Sequence, residues 1–253
     1  MQPVVLDFEI EKKKELLKTL YKFIDKTYLT YPLACKPGCN LCCTTRLFVT
    51  SIEAEYLLEV LKDEDFENII KNLKSIPRPR MTHNQTILCY MQGTEPEPEV
   101  PVEELLPCPF LDNEGLCKVY ERRPLMCRLM ASVYPCSTRG AELPPFLFKI
   151  STIALQLVEN IDKGGLYGNL FDLLVFLRDY KKGKAEEIPN YLLSNLDVDE
   201  LPILPEEKDV KSWVGHLYRT PIDSEKTFRD ILNELREKFE ANYSSLDFLK
   251  DIF

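Results

Sequence analysis

The sequence predicts a mainly α protein: a small helical domain with short strands and a hairpin around a cysteine metal cluster, followed by C-terminal helices. Three observations carry this. Apolar residues recur at helical spacing through most of the chain. All nine cysteines fall between residues 35 and 136, with none in the first 34 or the last 117. Proline and glycine interrupt the cysteine-bearing stretch, where only short extended pieces fit. The expected division is 1–140, a cysteine-cluster domain with an N-terminal helix, and 141–253, a helical region packed on it or continuous with it.

In chain order, Leu17, Leu20, Tyr21, Ile24 and Tyr28 follow the i, i+3, i+4, i+7 pattern, which predicts an amphipathic helix over 10–28. Pro32, Pro37 and Gly38 then force a loop. Phe48-Val49 reads as a short extended piece. Thr50 with Glu53 forms a capping box ahead of Ala54, Leu57, Leu58 and Leu61. Phe66, Ile69, Ile70 and Leu73 mark another short helix, residues 75–80 break the pattern, and Thr86 to Met91 reads as a strand. Residues 92–104, rich in Pro and Glu, form a solvated loop. Helices follow over 146–160 and 169–181, separated by Asp162-Lys-Gly-Gly165, with Asn169 as N-cap of the second. Residues 183–205, with three prolines, are irregular. Ser224 opens a last helix carrying Phe228, Ile231, Leu232, Leu235 and Phe239 on one face, and Leu246 to Phe253 docks as a final turn.

Hydrophobic content of 45% and charge of 29% are those of a soluble globular chain. A net charge of −9 argues against unspecific binding to nucleic acid or to anionic membranes. The N-terminus has neither a basic start nor a sustained apolar core, and no run is long enough to span a bilayer. A cytoplasmic protein is expected, acting on a small molecule or another protein. There, clustered cysteines bind metal more often than they form disulfides, and the odd count of nine fits a disulfide scaffold poorly.

Cys35, Cys39, Cys42 and Cys43 place four thiols in nine residues. Two residues between Cys39 and Cys42 let both thiolates converge on one ion, with Cys35 one short loop upstream. Neighbouring side chains diverge, so Cys42 and Cys43 need not serve the same ion. The run from Cys108 to Cys117 reads as a hairpin around Asp112 to Gly115, with Leu111 opposite Leu116 and Phe110 opposite Cys117. Alternation then puts Cys108 and Cys117 on one side. Pro124 suits the first position of a helix, so Cys127 falls in the first turn, where the dipole favours a thiolate. Arg123 and Arg128 either offset thiolate charge or pair with Glu121 or another carboxylate. Tyr120, Arg123 and Arg128 are the candidates to support the sulfur ligands. His83 and His216 lie outside the local motifs. Seven thiols exceed the need of one zinc, so an iron–sulfur cluster, two zincs or a mixed pair all remain open.

The run Cys35-x3-Cys39-x2-Cys42-Cys43, then Cys108-Pro-Phe-Leu, Cys117-x-Val-Tyr120 and Arg123-Pro124-x-x-Cys127-Arg128, resembles the YkgJ-type cysteine-cluster family. That domain is described as zinc- or iron-chelating, with a CxxCxxCC signature. The resemblance spans roughly residues 30–135, and the first gap here is three residues instead of two. It implies Cys35, Cys39, Cys42, Cys43, Cys108, Cys117 and Cys127 as metal ligands, with Cys89 outside the pattern and Cys136 unassigned. It also implies, through the distantly similar flagellin lysine N-methylases, an iron–sulfur cluster, 4Fe-4S in preference to other kinds. Redox chemistry or methyl transfer from S-adenosylmethionine would follow. The alternatives are a structural four-cysteine zinc site and a metal-handling or partner-binding module. No glycine-rich nucleotide loop accompanies the motifs: Gly164-Gly165 with Gly168 lacks the strand context and reads as a turn.

Overall fold

The computed structural model describes residues 3–36, 38–73, 76–101 and 105–243. Ten α-helices and three short strands are present among them. The helices are α1 (Ile10–Tyr28), α2 (Ser51–Leu58), α3 (Asp63–Asn72), α4 (His83–Met91), α5 (Leu125–Leu129), α6 (Cys136–Arg139), α7 (Pro145–Ile161), α8 (Leu170–Lys181), α9 (Lys208–Tyr218) and α10 (Phe228–Tyr243). The strands β1 (Phe48–Thr50), β2 (Leu166–Asn169) and β3 (Leu193–Ser194) form one antiparallel sheet in the order β1-β2-β3. Val49 lies opposite Gly168, and Tyr167 opposite Leu193. The fold is mainly α with short strands, as the hydrophobic periodicity predicts. Among the described residues no helix is long and apolar enough to cross a membrane.

The helices start where local chemistry says they should. The Glu53 carboxylate accepts from the Thr50 amide at 3.0 Å, which opens α2. The Asn169 side chain accepts from the Phe171 amide at 3.0 Å and opens α8. Pro145 occupies the first turn of α7, where its missing N–H costs nothing.

The apolar face of α1 packs with α5, α7, α9 and α10 in one core cluster. A second cluster gathers β1, α2, α3, β2 and α8 with Phe110 and Val119. Leu125 and Leu129 of α5 join the first, while Met126 and Cys127 pack against the second. This short helix therefore stands between the two.

A buried ion pair links the same elements. Lys13 Nζ on α1 lies 3.2 Å from Asp162 at the end of α7, with both side chains almost wholly buried. Asp162 also accepts from Ser51 Oγ, the Ile52 amide and the Asn195 side chain, so the charge is fully hydrogen-bonded. Gly165 completes the corner, since a Cβ there would lie 2.2 Å from the Asp162 carboxylate.

Several expectations are corrected. Thr86 to Met91 is not a strand but most of α4, because Thr82 accepts from the Gln85 amide and Gln85 accepts from the Thr82 amide. That capping box outweighs the β-branched residues after it. Ile70 does not join the buried stripe of α3 and is 47% exposed. Within the irregular stretch 183–205, Leu193–Ser194 adds β3. The last helix starts at Phe228, after a turn in which Thr227 Oγ1 donates to Asp230. Helix α9, with Val210, Trp213, Val214 and Leu217 buried at helical spacing, was not anticipated. The proposed docking of Leu246 to Phe253 falls outside the described residues.

Candidate metal centre

Three chain segments meet at the site. In the first, tight turns bend the loop: the Cys39 amide donates to Lys36 O and the Cys43 amide to Asn40 O, each at 2.9 Å. Its start is held by the Ala34 amide on Ser132 O at 2.8 Å. Its end pairs with the second segment through Thr45 N to Leu106 O and Cys108 N to Cys43 O.

The second segment is the expected hairpin in a different register. Leu111 faces Cys117, not Leu116. The Asp112 side chain accepts from the Glu114 and Leu116 amides, forming a turn one residue longer on the C-terminal side. Cys108 is not in extended alternation either: the Leu111 amide donates to Cys108 O, closing a turn. This turn, not the period-two rule, accompanies the placement of both thiols at one cavity. The hairpin tip meets the first loop at Gly115, where a Cβ would stand 2.3 Å from the Asn40 side chain.

In the third segment Tyr120–Arg122 forms one turn of 3-10 helix and Pro124 is the N-cap of α5. Pro124 thus sits one position earlier than expected, and Cys127 in the first turn as expected. The buried Glu53 carboxylate fixes this helix by accepting from the Leu125 amide at 2.7 Å and from Tyr21 Oη at 2.9 Å.

These segments enclose a cavity of about 480 Å³. All seven candidate cysteines line it, together with Tyr120, Arg123 and Arg128. Phe110, Val119, Leu47 and Leu170 supply apolar wall. Cys39 and Cys42 are exposed, and the other five are half-buried. All nine cysteines are free thiols. Cys89 on α4 and Cys136 on α6 do not line the cavity, and neither do His83 and His216. His83 Nε2 instead meets Thr152 O at 3.0 Å, and burial pushes its pKa down to about 4. Among the described residues, no three ligand-type side chains yet stand at single-ion spacing.

Burial favours the protonated thiol at Cys108, Cys117 and Cys127. Burial pushes Cys108 up to about 11. Burial also raises Cys127 strongly, and Cys108, Cys117 and Cys42 act in the same direction. Cys117 is raised by burial, against the pull of Arg123. Cys42 and Cys43 share one proton: the Cys43 thiol donates to Cys42, which brings Cys42 down to about 6 and raises Cys43. A metal ion or cluster would displace these protons, so its binding strengthens with pH. The donor set fits such a group, because it is all thiol and backed by apolar wall.

The arginines have specific partners. Arg128 donates from Nε to Arg123 O at 3.0 Å and from a terminal nitrogen to Glu121 O at 2.8 Å. Its other terminal nitrogen pairs with Asp25, and its guanidinium lies over the Tyr21 ring. Arg123 donates to Tyr120 O, lies over the Tyr120 ring and stands 3.7 Å from Asp25. Asp25 and Glu53 are the two carboxylates that sequence reasoning did not place at the site. Glu53 was visible only as a capping residue, and Asp25 gave no signal on a helix with many charges.

The folded geometry defines a cysteine-cluster module with a thiol-lined cavity whose donors suit a soft metal. Residues 34–146 match the CxxCxxCC family, described as a zinc- or iron-chelating domain. The matched segment spans all nine cysteines. No curated protein and no solved structure matches the chain.

Proposed function

We propose that the domain is an iron–sulfur protein, with a 4Fe-4S cluster held by thiolates of the cysteine-lined cavity. One observation carries the reading: seven thiols line the wall of one partly apolar cavity, more than one zinc ion takes. A cluster needs its thiolates further apart than one zinc does, and it tolerates an apolar wall. The four ligands of the cluster are drawn from Cys35, Cys39, Cys42, Cys43, Cys108, Cys117 and Cys127. Tyr120, Arg123 and Arg128 hold the loops that present them, and the arginines offset thiolate charge. When bound, the cluster would supply electron transfer, or support methyl transfer from S-adenosylmethionine to a protein or small-molecule acceptor. Tyr28, Leu29, Leu33 and Met130 extend the cavity beyond the thiols and offer an apolar seat for that acceptor.

Anaerobic purification tests this. Iron and acid-labile sulfide, with a visible band that bleaches on reduction, are expected. A colourless protein with stoichiometric zinc would replace the reading by the second one, a structural zinc site, which the CxxCxxCC description equally permits. Calorimetry with S-adenosylmethionine separates methyl transfer from electron transfer: no heat and no spectral change would leave only the latter.

A further inference from the structure

We propose that the cysteine-lined cavity also seats a small organic anion, a carboxylate head on an apolar body, against its wall from the first core cluster. The proposal names the substrate class of the site above. It rests on the metal-centre reading in one respect: the metal takes the thiols and leaves the other wall to the ligand.

The cavity lies at the seam of the two core clusters. Phe110, Val119, Cys108, Cys117 and Cys127 line it from the second cluster, which they belong to or pack against. Tyr28, Tyr31, Leu33 and Ala131 line it from the first. Among the described residues, no cysteine packs against that first cluster. The two walls therefore differ in chemistry: one presents sulfur, and the other presents aromatic and aliphatic carbon. Tyr28 Oη shares a hydrogen bond with Ser151 Oγ at 2.7 Å, so its ring is what remains for a ligand. Met130, 39% exposed, extends the same wall outward. A cavity of about 480 Å³, largely apolar with a few polar groups, has the form of a small-molecule site.

The charges on the lining select the head group. They are Asp25, Lys36, Arg46, Arg123 and Arg128. Arg46 pairs with Glu99, outside the cavity. Asp25 pairs with Arg128 and stands 3.7 Å from Arg123, so two guanidiniums share its one carboxylate. Lys36 is exposed and has no carboxylate partner among the described residues. The lining is thus cationic on a chain whose net charge is −9, and a cationic cleft draws an anion. Tyr31 Oη, on the same loop as Lys36, makes no hydrogen bond among the described residues. These two side chains offer a carboxylate one donor for each of its oxygens. The arginines are held by backbone carbonyls, whereas the Lys36 ammonium, on its long flexible stem, can turn to a ligand.

Calorimetry on the anaerobically purified full chain, with its metal content measured, tests this with octanoate, octan-1-ol and octylamine, three probes of one chain length. Octanoate should bind about tenfold more tightly than octan-1-ol, the worth of one charge-assisted hydrogen bond, and octylamine more weakly than both. K36E should abolish the preference for octanoate over octan-1-ol. M130S should weaken both, because it shortens the apolar wall. Lys36 and Met130 are exposed, so both variants should fold, which circular dichroism checks. The proposal is overturned by a metal-loaded chain that binds no octanoate or prefers octylamine. It is overturned equally if K36E keeps the octanoate preference or M130S keeps wild-type affinity for both probes. Each of these results leaves the metal centre standing. The same selectivity in a chain purified without iron or zinc would overturn the metal-centre reading alone.

Discussion

The amide of Leu125 donates to the buried carboxylate of Glu53 at 2.7 Å, so a residue of α2 fixes the start of the helix that carries Cys127. The same oxygen takes Tyr21 Oη, and the other takes the Thr50 amide and hydroxyl. Truncation in E53A orphans all of these buried donors. Each hydrogen bond to a charged acceptor contributes about 1.5–3 kcal/mol, so urea unfolding should show E53A weakened by at least one such bond. E53Q keeps an acceptor but sets an amide donor against another donor, and should fall between. Equal stability of wild type and E53A would show that this contact does not hold α5.

Arg128 works as a planar fork, with three separate acceptors on Arg123, Glu121 and Asp25 and a ring beneath it. Lysine offers one charged point and cannot span them. R128K should therefore lose about 2 kcal/mol or more, by loss of hydrogen bonds that a charged donor makes. It should also weaken cobalt(II) binding by the chain, since Arg128 holds the Glu121 and Arg123 carbonyls of the segment leading into the Cys127 helix. An R128K chain that matches wild type in both thermal unfolding and cobalt affinity would mean the fork is incidental.

What the sequence revealed follows the range of the interactions involved. Elements set by local periodicity and caps came through: α1 over its full length, the Thr50 and Asn169 starts, and the gathering of seven cysteines around one cavity. The strand assigned to Thr86–Met91 failed because the capping box began at Thr82, upstream of the window that looked extended. The hairpin register failed by one residue because the Asp112 side chain takes two amides, and alternation cannot foresee that. Asp25, Glu53 and Asp162 each act across more than seventy residues or between separate elements, and such pairings leave no periodic trace.

Lys13 and Asp162 are both less than 5% exposed and form a buried ion pair, so each is the other's compensating charge. Removing one partner of a buried pair costs about 3–5 kcal/mol, because the survivor is left unpaired. K13M should accordingly lose several kcal/mol in urea unfolding, and D162N a comparable amount. The double variant should lose less than the sum of the two. Simple additivity would show that the charges are not coupled, and that Asp162 matters only through Ser51, Ile52 and Asn195.

Glu159 on α7 gives the fold a pH dependence separate from the thiols. Its carboxylate is buried and accepts from the Asn84 and Leu196 amides, tying α4 and the 195–198 segment to α7. Burial raises its pKa from 4.5 to about 7; those backbone hydrogen bonds oppose the rise, while nearby Asp162 adds to it. Between those values the folded chain holds a proton that the unfolded chain has released. Stability from this group is therefore fully present below pH 4.5 and is lost as pH rises through 7. The linkage amounts to about 2.5 kcal/mol between pH 5 and pH 8. Glu53 is raised in the same direction by burial, so the group must be isolated by difference. E159Q cannot titrate, and its amide nitrogen cannot accept from Leu196 or Asn84. It should be less stable than wild type at pH 5, and that gap should narrow by about 2.5 kcal/mol at pH 8 in paired urea titrations. Curves for the two chains that stay parallel across this range would show that Glu159 is ionised throughout, stabilised by its two amides against the burial that raises it.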